Sequence, residues 1–283
     1  KFRETIEAGD NKWVFDETTG LLTSWTYQGQ QLIQEPLCPH FWRAPTDNDR
    51  GYKMVERMGV WRHAGQNYKP KSVDTQREGE HVVRIEVHGD LSPVQAEYSM
   101  VYRFLNTGDL VVRGTFAPLA QDLPDMPRFG MQMALPAGFE QITWFGRGPH
   151  ETYCDRNDAR VDRYKGEIGD QFCQEYSEPG ESGNKVDVRW VAIGGQGGVG
   201  LLAIGMPLLS VNALPYTTDD LENHKHPFQI PRRDFVTLNL DWKQQGVGGD
   251  DSWGAMPHDE YRIKPQPYTY SFRLRAFQGQ VPL

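Results

Sequence analysis

The sequence predicts an all-β protein built from antiparallel sheets stacked as a sandwich. Three observations predict it. Apolar and polar residues alternate with period two along most of the chain, turn-forming clusters separate the alternating runs at short intervals, and helical periodicity is nearly absent. At 283 residues, with 38% hydrophobic and 12% aromatic residues, the chain is long for one domain but fits a large all-β domain with a core rich in flat side chains. No internal repeat, low-complexity tract or linker-like stretch divides it, so one domain of two large sheets spanning residues 1–283 is the expectation.

The elements follow in chain order. "DETTG" at 16–20 is a turn, and "YKMVERMGVWRHA" at 52–64 is the best helical candidate, with Met54, Met58 and Trp61 on one face and Gly59 weakening it. "HVVRIEVHG" sets Val83, Ile85 and Val87 against Arg84, Glu86 and His88 on the opposite face. "YSMVYRFL" aligns Tyr98, Met100, Tyr102 and Phe104 before the turn "NTGD". "RFGMQMALP" aligns Phe129, Met131, Met133 and Leu135. "VDVRWVAI" and "VGLLAIG" flank "GGQGG" as a hairpin, and "FVTLNLDW" runs into the glycine-rich "QQGVGG". "YTYSFRLRAF" closes the series with Tyr268, Tyr270, Phe272 and Leu274 on one side.

Charge and composition exclude some classes. A net charge of −8 leaves no basic footprint for nucleic acid, and no run of 18 apolar residues offers a membrane-spanning helix. Cys38, Cys154 and Cys173 are too few and too scattered for a disulfide scaffold, so reduced thiols are expected; one disulfide stays possible and the compartment is left open between cytoplasm and periplasm. The chain begins at Lys1 rather than methionine, with no charged-then-apolar leader, and what precedes it is left open.

Several motifs fail on physical grounds. Gly195, Gly197 and Gly200 satisfy G-x-G-x-x-G, but a dinucleotide site needs a helix N-terminus after the glycines, and "VGLLAIG" reads as a strand. "DNDRG" at 47–51 resembles a calcium loop, yet its twelfth position is Met58 where a bidentate glutamate belongs. His224 and His226 lack a third ligand, so a hydrogen-bonded loop is the reading and no metal site is expected on this chain. Glu151 and Asp155 in "GPHETYCDR" could serve a two-carboxylate glycosidase, but bonding to loop amides and to Arg147, Arg156 or Arg160 accounts for them equally.

The stretch "QQGVGGDDSWGAMP" at 244–257 poses a sharper question. Gly248 and Gly249 admit backbone angles closed to other residues, and Asp250, Asp251 and Ser252 can bond neighbouring amides. The large ring of Trp253 on such a loop is either a packing residue against another domain or held out for a ligand to touch.

Three stretches together, "PHFWRAPTDNDRG" at 39–51, "WFGRGPHETYCDR" at 144–156 and "VGGDDSWG" at 247–254, resemble the C-terminal portion of large bacterial β-galactosidases, which is a separate small chain in two-subunit forms. The resemblance runs from about Asp16 to Phe277. It implies a supersandwich of the galactose-mutarotase type and a division of labour. In this family the two catalytic glutamates of a retaining mechanism sit on a (β/α)8 barrel elsewhere, and no alternating strand–helix pattern for a barrel exists here. The resemblance therefore implies no catalytic residue on this chain and a barrel partner, in the same chain or a large subunit. It further implies magnesium and sodium ions belonging to the barrel, an oligomeric parent enzyme, and a terminal β-galactoside such as lactose as substrate. It assigns to Trp253 a place over the mouth of the barrel's active site, where an indole offers an apolar platform to the C–H face of a sugar. Gly248, Gly249, Asp250, Asp251 and Ser252 would hold that loop. In "FWRAPTDNDRG", Trp42 is expected to pack while Arg43, Asp47 and Asp49 build a polar network; "WFGRGPHE" is read as a strand end turning at Gly146, Gly148 and Pro149. Two other classes stay open: a free-standing mutarotase or epimerase using His150, Glu151 or His224 as acid and base, and a non-catalytic carbohydrate-binding module.

Overall fold

A computed structural model describes residues 3–92 and 94–282. A four-stranded meander opens the chain: β1 (Arg3–Ala8), β2 (Asn11–Asp16), β3 (Leu21–Tyr27) and the short β4 (Gln30–Gln31), paired in that order. β5 (Glu35–His40) follows, then two short helices, α1 (Asp47–Gly51) and α2 (Met54–Met58). Strands β6 (Tyr68–Glu78), β7 (Val82–Leu91), β8 (Ala96–Leu105) and β9 (Asp109–Pro118) form consecutive antiparallel hairpins. β10 (Arg128–Leu135), β11 (Gln141–Gly148), β12 (Arg160–Glu167), β13 (Lys185–Gly194) and β14 (Val199–Leu214) come next, then α3 (Thr218–Asn223), β15 (Val236–Gln244) and β16 (Tyr268–Gln278).

The twelve strands from β5 onward form one branched antiparallel sheet rather than one of two separate large sheets. The branch is the sixteen-residue β14. Its first half lies between β13 and β16; its second half pairs β15, which leads through β10 to β5. The sheet turns back on itself there and buries the strand faces read from the sequence. Phe129 on β10 meets Tyr98, Phe116 and Tyr270 across the interior, with ring centroids 5.4–6.4 Å apart. The opening meander closes over the same core: Trp13 and Phe15 lie 5.4 and 5.3 Å from Phe104 and Tyr102. One apolar cluster runs from Ile6 to Ala276. β10 is buried on both faces, so its alternation marks pairing geometry rather than a wet side.

The fold departs from the sequence reading in two places. The expected helix over 52–64 is divided: Lys53 adopts a left-handed conformation (φ 61°) between α1 and α2, and a 3₁₀ turn carries Gly59–Trp61. Met54, Met58 and Trp61 are nevertheless all buried. Gly146 is no turn residue; it sits inside β11 opposite Asp162, where an added Cβ would lie 2.9 Å from the Val188 backbone. The glycine hairpin is present as β13–β14, joined by a 3₁₀ turn at Gln196–Gly198. Cys38, Cys154 and Cys173 are free thiols. No helix among the described residues is long and apolar enough to cross a membrane.

Candidate functional site

The loop after β15 is held at both ends and in the middle, while its tryptophan is left in solvent. Where β15 ends, the buried Arg43 guanidinium donates to the carbonyls of Gln245 (2.7 Å) and Gly246 (2.8 Å). Arg43 is fixed in turn by a bidentate pair with Asp49, at 3.0 and 2.8 Å, both side chains fully buried. Burial alone would favour a neutral Arg43, but the facing Asp49 carboxylate outweighs it and holds the guanidinium charged. Asp49 also accepts from the Thr46 amide (3.0 Å) and the Tyr52 hydroxyl (2.6 Å), so it serves as the N3 partner of a capping box on α1. Asp47, expected in this network, points outward and pairs with Arg50. The reason is helical geometry: neighbours two positions apart on α1 face different sides.

The next residues are gripped by Asp155, which accepts from the amides of Val247 (3.0 Å) and Gly248 (2.7 Å), while the Asn48 side chain donates to the Val247 carbonyl (2.7 Å). Gly246 permits this, since a Cβ there would collide with the Asp155 carboxylate. At the tip, the Asp251 carboxylate accepts from the amides of Trp253 (3.0 Å), Gly254 (2.8 Å) and Ala255 (3.0 Å). The amides of Ala255, Trp253 and Gly254 hold its carboxyl below the usual carboxylate range, so the turn is fully formed at neutral pH. Asp250 pairs with His258 at 2.8 Å, and Gly249 lies where a Cβ would sit 2.7 Å from the Ala255 carbonyl oxygen. The Ser252 hydroxyl has no hydrogen-bond partner among the described residues; its main chain takes part instead. Gly51 at the end of α1 presses against it, leaving a Cβ only 2.6 Å from the Ser252 carbonyl oxygen and 3.1 Å from the Trp253 Cα. The indole on this framed loop is 79% exposed.

Beside the loop lies a cleft of about 300 Å³ lined by Asn48, Glu151, Tyr153, Tyr176, Glu181 and Ser252, among others. Glu151 is engaged by Arg156 and Tyr176 and accepts from the Gly183 amide (2.7 Å). Glu151 and Asp155 thus bond loop amides and, for Glu151, an arginine. No histidine lines the cleft. His224 bonds the Asp220 carbonyl across 2.7 Å, and His226 stacks on Phe228. Trp42 is buried, its Nε1 donating to Glu222. No group of three or more His, Cys, Asp or Glu side chains among the described residues is placed to hold a metal ion.

Beneath the cleft, Arg128 faces two buried carboxylates, Glu181 (2.9 Å) and Asp241 (3.1 Å), and Asn212 and Gln244 also donate to Glu181. One guanidinium cannot balance both. Burial pushes Asp241 up to about 8, with Arg128 opposing and Glu181 adding to the rise, so Asp241 carries the extra proton at neutral pH. The sign for stability follows. Between its ordinary value and about 8, folded Asp241 binds one proton more than the unfolded chain, so stability falls as pH rises. Below 6.5 this is cancelled by His40, which burial and then Arg128 keep neutral in the fold. Above 8 it is opposed by Lys185, pushed down to about 8 by burial. Urea midpoints taken from pH 6.5 to 8 are therefore expected to report a loss of about 1.4 kcal/mol per pH unit at most, and Asp241→Asn to flatten it. A wild-type profile already flat across that window would mean Asp241 is ionised.

Comparison with known proteins bears on what this framework belongs to. The sequence model described as "Beta galactosidase small chain" matches residues 7–274. The chain belongs to this β-galactosidase small-chain family. A β-galactosidase of Priestia megaterium is 38% identical over 264 residues, 93% of this chain and 25% of that enzyme; one of Halalkalibacterium halodurans is 36% identical over 266 residues, 92% and 26% respectively. The small-chain domain thus spans about a quarter of the curated relatives it matches. Among solved structures, a galactose 1-epimerase of Lactobacillus acidophilus superposes with TM-score 0.55 at 8% identity, covering 98% of this chain and 95% of that one. A GalM/aldose epimerase homologue from C. elegans gives 0.54 at 10%, covering 99% and 100%. At those identities the likeness carries the fold alone, a galactose-mutarotase-like supersandwich.

The anchors of the Trp253 loop in this small-chain domain come from all three stretches that carried the resemblance. Arg43, Asn48 and Gly51 belong to the first and Asp155 to the second. The sequence reading treated Arg43 and Asp49 as one local network and Asp155 as a binder of unspecified amides. That both converge on the loop at 245–253 has no local signal, because the partners lie about 90 to 200 positions apart in the chain.

Proposed function

We propose that this chain is the non-catalytic portion of a retaining β-galactosidase and that it supplies Trp253 as a sugar-stacking platform at the mouth of an active site. The two glutamates of that site lie on a separate (β/α)8 barrel, in the same polypeptide or in a large subunit. The observation that carries this reading is an indole 79% exposed on a loop braced by Arg43, Asp155, Asp251 and Gly51. A large apolar ring left in water by so many constraints is ordered before its partner arrives, which lowers the entropic cost of binding. Such a platform touches substrate and transition state alike, so it acts mainly on KM. The parent enzyme hydrolyses terminal β-galactosides such as lactose, and any magnesium or sodium it uses is held by the barrel, as the donor set here fits no ion.

On this reading the isolated 283-residue chain is inactive. Incubated with an aryl β-galactoside it is expected to release no phenol above the uncatalysed rate, and activity is expected on adding the barrel portion. Hydrolysis by the purified chain alone, surviving removal of contaminating enzyme, would place reactive carboxylates here and sink the proposal.

A further inference from the structure

The cleft beside the Trp253 loop has a floor that the platform reading does not use. Tyr153 is only 1% exposed, and its hydroxyl has no hydrogen-bond partner among the described residues. Burial, then the nearby Glu181 and Glu151 carboxylates, keep it protonated, so it is a donor with nothing to donate to. A buried polar group in that state is costly and calls for an acceptor. The walls supply Tyr176, which is 37% exposed, together with Asn48 and the carboxylates of Asp47, Glu151 and Glu178. Acceptors outnumber donors, with one aromatic face at hand. That combination suits a neutral, hydroxyl-rich ring and disfavours an anionic one. Ser252 and Val247 of the loop line the same cleft, so it opens directly alongside the Trp253 platform.

We propose that this cleft receives the second sugar of a galactoside's leaving group, the first being stacked on Trp253. The proposal rests on the platform reading for the position of that first sugar. It makes the small-chain domain a reader of leaving-group length: the enzyme favours β-galactosides whose leaving group is a neutral disaccharide over those leaving a single sugar.

The test uses the complete parent enzyme and two substrates, lactose and the trisaccharide 4′-galactosyllactose, whose terminal galactose leaves behind one and two sugars respectively. Tyr176→Ala and Tyr153→Phe are each expected to lower the ratio of kcat/KM for the trisaccharide to that for lactose by about fivefold. The second variant removes only a hydroxyl without a partner, so its melting temperature should be unchanged or higher. A ratio within twofold of wild type in both variants overturns the proposal, whether the two substrates decline together or not at all. Trp253→Ala separates the two ideas. It should raise KM for both substrates; if it raises neither while the tyrosine variants still change the ratio, the platform reading fails and the cleft assignment stands.

Discussion

Trp253→Ala in the parent β-galactosidase is expected to raise KM for lactose on the order of tenfold, with a smaller change in kcat. The indole is 79% exposed in this chain, so truncation removes little that folding buries, and stability should change by no more than about 0.5 kcal/mol. What it removes is a flat apolar surface for the sugar's C–H face. A loss of about 1.4 kcal/mol of contact corresponds to the tenfold figure. Because the contact is present in both the bound substrate and the transition state, it appears in KM rather than in the chemical step. Phenylalanine at the same position, retaining a smaller ring, should fall between the two. Steady-state kinetics on lactose decide the matter. If Trp253→Ala leaves KM unchanged and instead lowers the thermal stability of the whole enzyme, the ring packs between domains and touches no sugar.

The largest effect on folding is expected at Asp49. Replacing it with alanine leaves the Arg43 guanidinium buried without its counter-charge and strips the Thr46 amide and Tyr52 hydroxyl of their acceptor. Removing one member of a buried pair typically costs about 3–5 kcal/mol, most of it the uncompensated charge left behind. The chain should unfold at a correspondingly lower urea concentration. The damage reaches the site because Arg43 also holds the Gln245 and Gly246 carbonyls at the root of the Trp253 loop. Variants that still fold should therefore show a raised KM as well. Replacing both partners together, Arg43→Met with Asp49→Leu, removes the stranded charge and should restore part of the stability but not the loop's fixed position. A loss below about 1 kcal/mol in Asp49→Ala would mean that water reaches Arg43, against the burial seen here.

The two expectations join the same pair of segments from opposite ends. Asp49 and Gly51 lie on α1, within the "FWRAPTDNDRG" stretch, and Trp253 lies on the loop they brace. A sequence stretch read as structural support is thus the mount of the proposed platform. Its rigidity has a clear origin: backbone carbonyls at 245–246 and amides at 247–248 are satisfied by side chains from two other loops, and the tip is closed by Asp251 alone.

By itself the sequence determined the strands and their buried faces, because period-two alternation is a local property that pairing and burial only reinforce. Tyr98, Met100, Tyr102 and Phe104 lie on one buried face as their spacing required. It determined the hairpin across "GGQGG" and the failure of the dinucleotide motif, since both rest on the residues directly after the glycines. It also determined the family, through three uncommon stretches. Tertiary structure alone decided that β14 bends from one layer to the other and makes a single branched sheet, for strand partners are chosen by distant segments. It decided that Lys53 interrupts the helix and that Gly146 lies within a strand against Val188. And it decided that Trp253 stands in solvent, because an exposed ring and a buried one have the same local sequence; what separates them is whether Arg43, Gly51 and Asp155, far away in the chain, arrive to hold the backbone outward.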